Sequence, residues 1–344
     1  MTTSVDQQRP QLRPGDAVID RALVAPLVPR RTFGAHKWGV GGVVIVAGAP
    51  SFIGAAVLCA QGAGRAGAGV TNLAVPRGLV PAIVPAVPEA AYVLLSETES
   101  TAGARRAAEM IVDKLAKSAA LVIGPGLGED ESAAGLLGAL FGIGSASRPI
   151  GFGGSDGGGA GSAGTKPAGV APVIAAGKPI VLDADGLNWL AKQDDWNSLL
   201  PRGTAVLTPH VGEMTRLLGI EADEVTRDPV ETVREAARRC GQVVVLKYGY
   251  TAVSDGERTL VAEDAPGSLA TAGAGDVFAG AIGGLLAQGL DPLDAAAVAI
   301  YTGGRAARRV EQRFGTLGLV AGDLPLGFAE ELALLEQEGG SRGR

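Results

Sequence analysis

Short, wholly apolar runs alternate with stretches of helical periodicity along most of this chain. Apolar runs of this length, bounded by glycine or proline, are typical of parallel strands buried on both faces of a sheet. The alternation predicts right-handed βαβ units in an α/β protein with one doubly wound, largely parallel sheet and helices on both faces. The predicted strands are 42–47, 70–75, 119–123, 179–182, 205–207 and 242–246. The predicted helices are 54–68, 104–116, 213–218, 229–240, 276–288, 292–310 and 326–337.

Two segments interrupt this alternation. Residues 1–29 are predicted to be a loosely held N-terminal extension, and the last few residues a loosely held end. A Gly/Ser-rich tract at about residues 143–170 has few apolar side chains, so burial cannot offset the entropy of ordering it. We interpret it as a disordered insertion or, alternatively, as a mobile lid over a site. Because the alternation resumes at Pro172, residues 30–338 are predicted to form a single domain.

The composition argues against several classes of function. A formal net charge of −6 offers no basic surface for nucleic acid or for an anionic membrane. The sequence has no uninterrupted apolar run of about 18 residues and no apolar leader, so neither a membrane span nor secretion is expected. Cys59 and Cys240 lack the spacing of a metal site or a disulfide framework, which favours a reducing, cytoplasmic location.

The strongest candidate for chemistry is the stretch Thr271-Ala272-Gly273-Ala274-Gly275-Asp276, which precedes an apolar helix. Successive glycines before a helix let backbone N–H groups turn toward an anion, and the helix dipole adds attraction. Asp276 then lies in the first helical turn, where it can accept the proton of a hydroxyl nucleophile during phosphoryl transfer. A simple glycine turn with a capping aspartate would have the same sequence pattern.

Two further candidates follow the ends of predicted strands. The segment Lys247-Tyr248-Gly249-Tyr250-Thr251 offers a nucleotide a cation, a close backbone approach and a hydroxyl, although a hairpin turn also explains it. The segment Thr208-Pro209-His210-Val211-Gly212-Glu213 places one of the two histidines in a turn, where it can bind a polar ligand or bond to backbone. Glu213 is interpreted as a first-turn acid that complements the helix dipole.

Three more turns lie at predicted strand ends, the edge at which open α/β sheets bind ligands. Two of them are the glycine turns Gly124-Pro125-Gly126-Leu127-Gly128 and Pro50-Ser51-Phe52-Ile53-Gly54-Ala55-Ala56. The third carries Asp183 and Asp185, one of which could hold Mg²⁺ through water. Turn and helix-cap chemistry explains this pair of acids equally well.

In their order and spacing, these motifs resemble the ADP- or ATP-dependent NAD(P)H-hydrate dehydratase family. The resemblance covers roughly residues 30–338 and implies a ribokinase-like fold. It implies dehydration of hydrated NADH or NADPH (NADHX or NADPHX) at the expense of ADP or ATP, with Mg²⁺. The motifs that carry it are His36-Lys37 with Gly39 and Gly42, Gly54-Ala55, Gly124–Gly128, Asp183–Asp185, Thr208–Glu213, Lys247–Thr251 and Gly273–Asp276.

The resemblance also implies roles for individual residues. Asp276 is the expected catalytic base, and no metal ligand is assigned. The hydrated nicotinamide nucleotide is expected to contact Ala55, Gly126, His210 and Asp276. The adenine nucleotide, expected to be ADP, is assigned to Lys247, Tyr248, Gly249, Tyr250, Thr251 and Gly275.

The expected partners are also those of the family. A separate NAD(P)H-hydrate epimerase is the expected functional partner, since 29 residues are too few for the epimerase domain that often precedes this one. A homo-oligomer, in this family a tetramer, is expected as the assembly.

Three positions depart from the family pattern. Ala274 stands in place of the usual threonine or asparagine, Val211 in place of a frequent proline, and Thr302 in place of a common helix histidine. Two other hypotheses stay open. A small-molecule kinase of the same fold, acting on a vitamin precursor or a sugar alcohol, would share the first chemical step. A non-catalytic nucleotide sensor would keep the fold alone.

Overall fold

A ten-stranded sheet forms the centre of the computed structural model, which describes residues 12–96, 100–143 and 171–339. In chain order the strands are Asp16–Ile19 (β1), Gly42–Val46 (β2), Val70–Pro76 (β3), Ala91–Leu95 (β4), Ala120–Ile123 (β5), Ile180–Leu182 (β6), Ala205–Leu207 (β7), Val243–Leu246 (β8), Ala252–Ser254 (β9) and Thr259–Ala262 (β10). Their order across the sheet is β1-β10-β9-β8-β7-β6-β5-β2-β3-β4. Strand β9 is antiparallel to both of its neighbours, and every other pairing among these strands is parallel.

Helices cover both faces of this sheet, as the sequence predicts. In chain order they are Arg21–Val24 (α1), Lys37–Val40 (α2), Ile53–Arg65 (α3), Val80–Ile83 (α4), Thr101–Leu115 (α5), Glu131–Leu140 (α6), Pro172–Ala175 (α7), Asp185–Ala191 (α8), Val211–Leu218 (α9), Ala222–Arg227 (α10), Pro229–Cys240 (α11), Ala274–Ala287 (α12), Pro292–Phe314 (α13) and Leu324–Gly339 (α14). Short 3₁₀ turns occur at Ala25–Leu27, Arg77–Leu79, Trp196–Ser198, Gly267–Leu269 and Ala321–Asp323. No helix within the described ranges combines the length and the apolarity needed to cross a membrane.

The alternating side chains of the buried strands separate two hydrophobic cores. In β2, Val43 and Ile45 belong to the core that α3, α12, α13 and α14 cover. Val44 and Val46 belong to the core on the opposite face, beneath α5, α6, α8, α9 and α11. Burial on both faces explains why the strands are continuous apolar runs rather than alternating ones.

The direction in which strands are added to the sheet reverses between β2 and β5. From β2 the chain adds β3 and β4 on one side, and from β5 it adds β6, β7 and β8 on the other. The loop after β2 therefore leads to α3 on one face, while the loop after β5 leads to α6 on the opposite face. A crevice opens at the carboxyl ends of strands where loops diverge in this way.

The expected loosely held extension over residues 1–29 is wrong for its second half. Strand β1 pairs in parallel with β10 along its whole length, and Ile19 is fully buried. The carboxylate of Asp16 pairs with the largely buried guanidinium of Arg234 on α11. The sequence of β1, Asp-Ala-Val-Ile, begins with a charged residue and so lacks the wholly apolar run by which the central strands are predicted. Of the predicted insertion at 143–170, all but the first residue lies outside the described residues.

Candidate active site

A polar cluster, defined here as Asp183, Thr208, Lys247 and Asp276, lies where β6, β7, β8 and the start of α12 meet. Asp183 is 1% exposed, and its Oδ1 accepts hydrogen bonds from the Thr208 hydroxyl at 2.6 Å and from Lys247 Nζ at 2.7 Å. The first three of these residues each directly follow a strand, and the three strands are neighbours in the sheet. The hydrogen bonds therefore join side chains up to 64 positions apart in the sequence.

The glycine turn before α12 packs directly onto this cluster. A Cβ on Gly275 would lie 3.3 Å from Lys247 Nζ and 3.8 Å from Asp183 Oδ2, so this position leaves little room for a side chain. Gly273 has φ +88, which favours glycine, and a Cβ there would lie 3.8 Å from Asp276 Oδ2. The structure thus brings Gly275, Lys247 and Asp276 together, as the sequence analysis expects.

The polar cluster contains a lysine, Lys247, whose pKa is raised, and an aspartic acid, Asp276, whose pKa is near neutral. Burial lowers the pKa of Lys247, but the carboxylates of Asp183 and Glu213 outweigh burial and raise it overall. Burial and then the neighbouring Asp183 raise the pKa of Asp276 to about 7, although Lys247 opposes them. A carboxylate with such a pKa is suited to accept a proton at neutral pH.

His210 caps the N-terminus of α9 and forms a reciprocal capping box with Glu213. Its Nδ1 accepts from the backbone N–H groups of Gly212 at 2.9 Å and Glu213 at 3.3 Å, while Glu213 Oε2 accepts from the N–H of His210 at 2.8 Å. Burial, followed by Lys247 and Arg216, lowers the pKa of His210, so the imidazole is neutral with its proton on Nε2. The first-turn position expected for Glu213 is confirmed, and burial raises its pKa to about 7.

The loops after β2 and β5 meet at a second group of predicted site residues. Gly126 has φ +58, and a Cβ on it would lie 2.6 Å from the Cβ of Ala55 and 2.7 Å from that of Phe52. Ala55 lies one helical turn before Leu58, and a Cβ on Gly273 would meet Leu58 Cδ1 at 2.5 Å. Two of the four residues expected to contact the nicotinamide nucleotide, Ala55 and Gly126, therefore touch each other, beside the glycine turn of α12.

Of the two acids after β6, Asp183 belongs to the polar cluster, whereas Asp185 adds a smaller charge effect that raises the pKa of Asp276. Asp185 Oδ2 accepts a hydrogen bond from the N–H of Gly128 at 2.7 Å and so ties the loop after β6 to the loop after β5. Between them, Ala184 has φ +48, a value that residues other than glycine rarely adopt. On either side of this bend, Asp183 bonds Thr208 and Lys247, and Asp185 bonds the loop after β5.

The segment Lys247–Thr251 connects β8 to the antiparallel β9, so the hairpin interpretation is correct for its backbone. Gly249 provides the required positive φ of +52. Tyr248 is 45% exposed, whereas Tyr250 packs against the core beneath α11. Only Lys247 of this segment is seen to hydrogen bond within the polar cluster.

Comparison with known proteins places this geometry in a family. A family model described as NAD(P)H-hydrate dehydratase matches residues 43–149 and 157–325. The chain belongs to the NAD(P)H-hydrate dehydratase family. It is 35% identical over 314 residues to a bifunctional NAD(P)H-hydrate repair enzyme of Moorella thermoacetica, covering 90% of this chain and 53% of that protein. It is also 31% identical over 294 residues to an ADP-dependent (S)-NAD(P)H-hydrate dehydratase of Neisseria meningitidis, covering 84% of each.

Solved structures agree with this family and with the expected ribokinase-like fold. A crystal structure of ADP/ATP-dependent NAD(P)H-hydrate dehydratase from Bacillus subtilis, co-crystallised with ATP and Mg²⁺, matches with a TM-score of 0.69 and 25% identity. That match covers 94% of this chain and 98% of the other. A ribokinase-like protein from Enterococcus faecalis matches with a TM-score of 0.73 at 17% identity, over 96% of this chain and 100% of the other, which supports the fold. This member of the NAD(P)H-hydrate dehydratase family spans about half the length of the bifunctional relatives that it matches.

One family motif lies far from the polar cluster. His36 caps α2 by accepting from the N–H of Gly39 at 3.1 Å. A Cβ on Gly41 would lie 1.8 Å from the carbonyl oxygen of Ala287, at the last residue of α12. Asp276 lies at the other end of that helix, about 17 Å away at 1.5 Å per residue. The His36-Lys37 motif therefore belongs to the opposite edge of the sheet.

The three departures from the family pattern fit their surroundings. Ala274 is the buried first residue of α12, and Val211 is the first residue of α9, a position that also accommodates proline. Thr302 is fully buried in α13, where its hydroxyl donates to the carbonyl of Val298 at 2.7 Å. None of these substitutions leaves an unpaired polar side chain.

The donor set of the polar cluster suits a magnesium ion shared with phosphate. No group of three His, Cys, Asp or Glu side chains in the described part of the chain could form a metal cage. Mg²⁺ usually takes only one or two carboxylates and fills its shell with water and substrate phosphates. Asp183 Oδ2 and Asp276 Oδ2 both border the Gly273–Gly275 turn, and three carboxylates, Glu213 included, surround the single ammonium group of Lys247.

Proposed function

We propose that this protein dehydrates hydrated NADH and NADPH and consumes ADP or ATP in the reaction. The observation that carries the proposal is Asp276, whose carboxyl group has a pKa of about 7 in the first turn of α12. It lies in the same cluster as the ammonium group of Lys247 and beside the Gly273–Gly275 turn. A proton acceptor, a cation and a glycine turn at a helix start are the groups that phosphoryl transfer to a substrate hydroxyl requires.

In the proposed reaction, Asp276 accepts the proton of the ring hydroxyl. That hydroxyl oxygen attacks the terminal phosphorus of the nucleotide, and the bond from phosphorus to the AMP (or ADP) oxygen breaks. The new phosphate ester then leaves the ring carbon as the ring nitrogen donates its electron pair. Loss of a proton from the adjacent ring carbon restores NADH or NADPH, with AMP (or ADP) and phosphate as the other products.

The other assigned residues bind and orient. Lys247 and the N–H groups of the Gly273–Gly275 turn hold the phosphates, and the segment that follows Lys247 borders the adenine nucleotide. Ala55, Gly126 and His210 hold the nicotinamide part of the substrate. Asp183 and Asp276 are the carboxylates available to hold Mg²⁺, which would neutralise charge on the phosphates when bound.

The proposed partners are a second enzyme and further copies of this chain. Hydrated NADH exists as two epimers, so a separate NAD(P)H-hydrate epimerase would convert the second epimer into substrate. We also propose a homo-oligomer, a tetramer, as the working assembly.

The decisive experiment is absorbance at about 340 nm after protein, Mg²⁺ and ADP are added to purified hydrated NADH. A nucleotide-dependent rise is expected because the reduced nicotinamide ring is regenerated. Asp276→Asn should lower kcat by at least about a hundredfold while nucleotide binding persists. Asp294→Asn, in the first turn of α13, is the matched control and should retain activity.

No rise with ADP or ATP, from protein that binds nucleotide, would overturn the proposal. A stable phosphorylated product from a hydroxyl substrate would then identify a small-molecule kinase. Full activity of Asp276→Asn would remove the role assigned to that residue.

A further inference from the structure

The loop Gly124–Gly128, which follows β5, carries Gly126 into the proposed substrate site. Three of its five residues are glycines with φ between +58 and +124. Glycine loses more conformational freedom on ordering than other residues do, so this loop needs contacts that hold it in one conformation. The loop after β2 supplies one of them, since the N–H of Gly48 donates to the carbonyl of Pro125 at 2.9 Å. That hydrogen bond precedes Gly126, and the chain after Gly126 needs a second attachment.

Asp185 provides this second attachment from the side of β6. Its Oδ2 accepts a hydrogen bond from the N–H of Gly128 at 2.7 Å, across 57 positions of the sequence. A charged acceptor makes such a hydrogen bond stronger than one between neutral groups. The two loops also pack backbone to backbone, because a Cβ on Gly124 would lie 1.8 Å from the carbonyl oxygen of Asp183. The loop that carries Gly126 is therefore held from both sides.

Helix α8 contacts the end of this loop at two successive residues. Asp185, its first residue, follows Ala184, whose φ of +48 is rare outside glycine. Such a conformation persists only where the surrounding structure holds it, and it is common beside functional sites. One turn further along α8, Asn188 Nδ2 donates to Glu129 Oε1 at 3.2 Å, directly after the hydrogen bond to Gly128. The start of α8 thus fixes where the loop ends.

We propose that Asp185 is a positioning residue for the hydrated nicotinamide nucleotide, because it holds the Gly124–Gly128 loop so that Gly126 lies against Ala55. This inference rests on the proposed function and assigns Asp185 no contact with the reacting atoms. The residues assigned to the adenine nucleotide follow β8 and begin α12, away from this loop. Loss of the hydrogen bond to Gly128 should therefore weaken binding of the hydrated dinucleotide and spare binding of ADP.

The test compares Asp185→Ala, which removes the acceptor, with Asp185→Asn, which removes the charge and retains an acceptor oxygen. Asp185→Ala should raise the KM for hydrated NADH about tenfold and leave the KM for ADP within about twofold. Asp185→Asn should keep both KM values within about threefold of wild type. Assays at about pH 8.5 keep Asp276 deprotonated in every variant, so the loss of a neighbouring charge does not alter the fraction of active base.

Asp194→Ala is the matched control, since Asp194 is an exposed acid that follows the end of α8. It should change neither KM by more than about twofold. Hydrogen exchange of the peptide 124–130, measured without substrate, gives a readout that does not depend on turnover. Exchange should be at least about tenfold faster in Asp185→Ala than in wild type, and unchanged in Asp185→Asn and Asp194→Ala.

A merely structural role for Asp185 would lower the active fraction, and so kcat, without separating the two KM values. An equal rise in both KM values, an unchanged KM for hydrated NADH or unchanged exchange in Asp185→Ala would overturn the positioning role and leave the proposed function intact. If Asp185→Ala does not fold, Asp185→Glu keeps the charge and moves the carboxylate by one methylene. It should then separate the two KM values in the same way, and failure to do so would also overturn the role. Absence of turnover of hydrated NADH by wild-type protein would overturn both proposals.

Discussion

Asp183 has opposite effects on two neighbours in the polar cluster. Burial disfavours the charged form of both Lys247 and Asp276. For Lys247, the charges of Asp183 and Glu213 and the hydrogen bond of 2.7 Å that Nζ donates to Asp183 Oδ1 more than compensate, and its pKa rises. For Asp276, Asp183 is a like charge that adds to the effect of burial. The same buried carboxylate therefore keeps the lysine charged and keeps Asp276 able to take up a proton near neutral pH.

The value of kcat/KM should consequently decrease as the pH falls below about 7. The proposed base must be deprotonated to act, and the pKa of Asp276 is about 7. As the pH falls below that value, kcat/KM should decrease about tenfold per pH unit, and above it the rate should level off. The measurement is kcat/KM for hydrated NADH from about pH 5.5 to about pH 8.5.

Glu213 has the same raised pKa, so a variant is needed to assign this limb. Glu213→Gln removes that titration and keeps a hydrogen-bond acceptor for the N–H of His210. The acidic limb should persist in this variant. If the acidic limb disappears in Glu213→Gln, the titrating group is Glu213, and the role of Asp276 is contradicted.

The position of Asp276 depends on how two helices pack. Helices α3 and α12 approach so closely that a Cβ on Gly62 would lie 2.3 Å from the carbonyl oxygen of Val277. A Cβ on Gly280 would lie 1.9 Å from the carbonyl oxygen of Cys59. No side chain fits at such distances, so glycine at these positions fixes the depth at which α12 lies beneath the site.

Gly280→Ala should therefore destabilise the protein and displace Asp276, which lies about one turn earlier on α12. We expect a loss of about 1–3 kcal/mol in the free energy of unfolding, and a lower kcat. The matched control is Gly64→Ala on α3, where a Cβ would meet nothing within 4 Å. Alanine there should stabilise by up to about 1 kcal/mol through helix propensity.

Urea denaturation and kcat measured on the same preparations test this pair of variants. Similar stabilities for Gly280→Ala and Gly64→Ala would show that the two helices can separate without cost. Normal stability of Gly280→Ala with a reduced kcat would mean that the substitution perturbs the active site without weakening the packing of α3 against α12.

Sequence periodicity predicts the long elements well because burial on both faces leaves a strong apolar signal. All six predicted strands are present, with ends that differ by at most one residue. All seven predicted helices are present, and several begin earlier because their caps precede the apolar stretch. The strands it misses, β1, β4, β9 and β10, lie toward the sides of the sheet, and β1, β9 and β10 each have a polar residue at one end.

The sequence predicts only those site residues that have distinctive side chains or glycine turns and also lie next to the end of a predicted strand or the start of a predicted helix. The motifs that follow β2, β5, β6, β7 and β8 and the turn before α12 lie at one edge of the sheet, because parallel strands end together. The His36-Lys37 motif precedes β2 and so lies at the other edge. The hydrogen bonds that join Asp183 to Thr208 and Lys247 depend on strand order, which a single sequence does not specify.

At the scale of the whole molecule, the sheet has one mixed end. Beyond β8, the chain reverses into the antiparallel β9 and reverses again into β10, and β1 pairs in parallel with β10 as the last strand on that side. Strand β1 thus covers the hydrogen-bonding edge of β10, while Asp16 pairs with Arg234 of α11. The N-terminal segment closes the side of the sheet nearest the proposed nucleotide site.

Deletion of residues 1–19 should destabilise the whole protein. It exposes the edge of β10, removes the fully buried Ile19 and leaves Arg234 without Asp16, while Asp20 still caps α1. Loss of the buried Ile19 side chain alone should lower the free energy of unfolding by about 1.5–3 kcal/mol. We expect a thermal midpoint lower by more than about 4 °C and more aggregation, since unpaired strand edges promote association.

Deletion of residues 1–11 is the matched control, because it leaves β1 in place. Thermal unfolding followed by circular dichroism, with light scattering for aggregation, compares the two truncations at equal concentration. The longer deletion should lower the midpoint well beyond the shorter one. Equal midpoints would mean that β1 adds nothing to the stability of the sheet, and that β8, β9 and β10 hold the Lys247 segment in place without it.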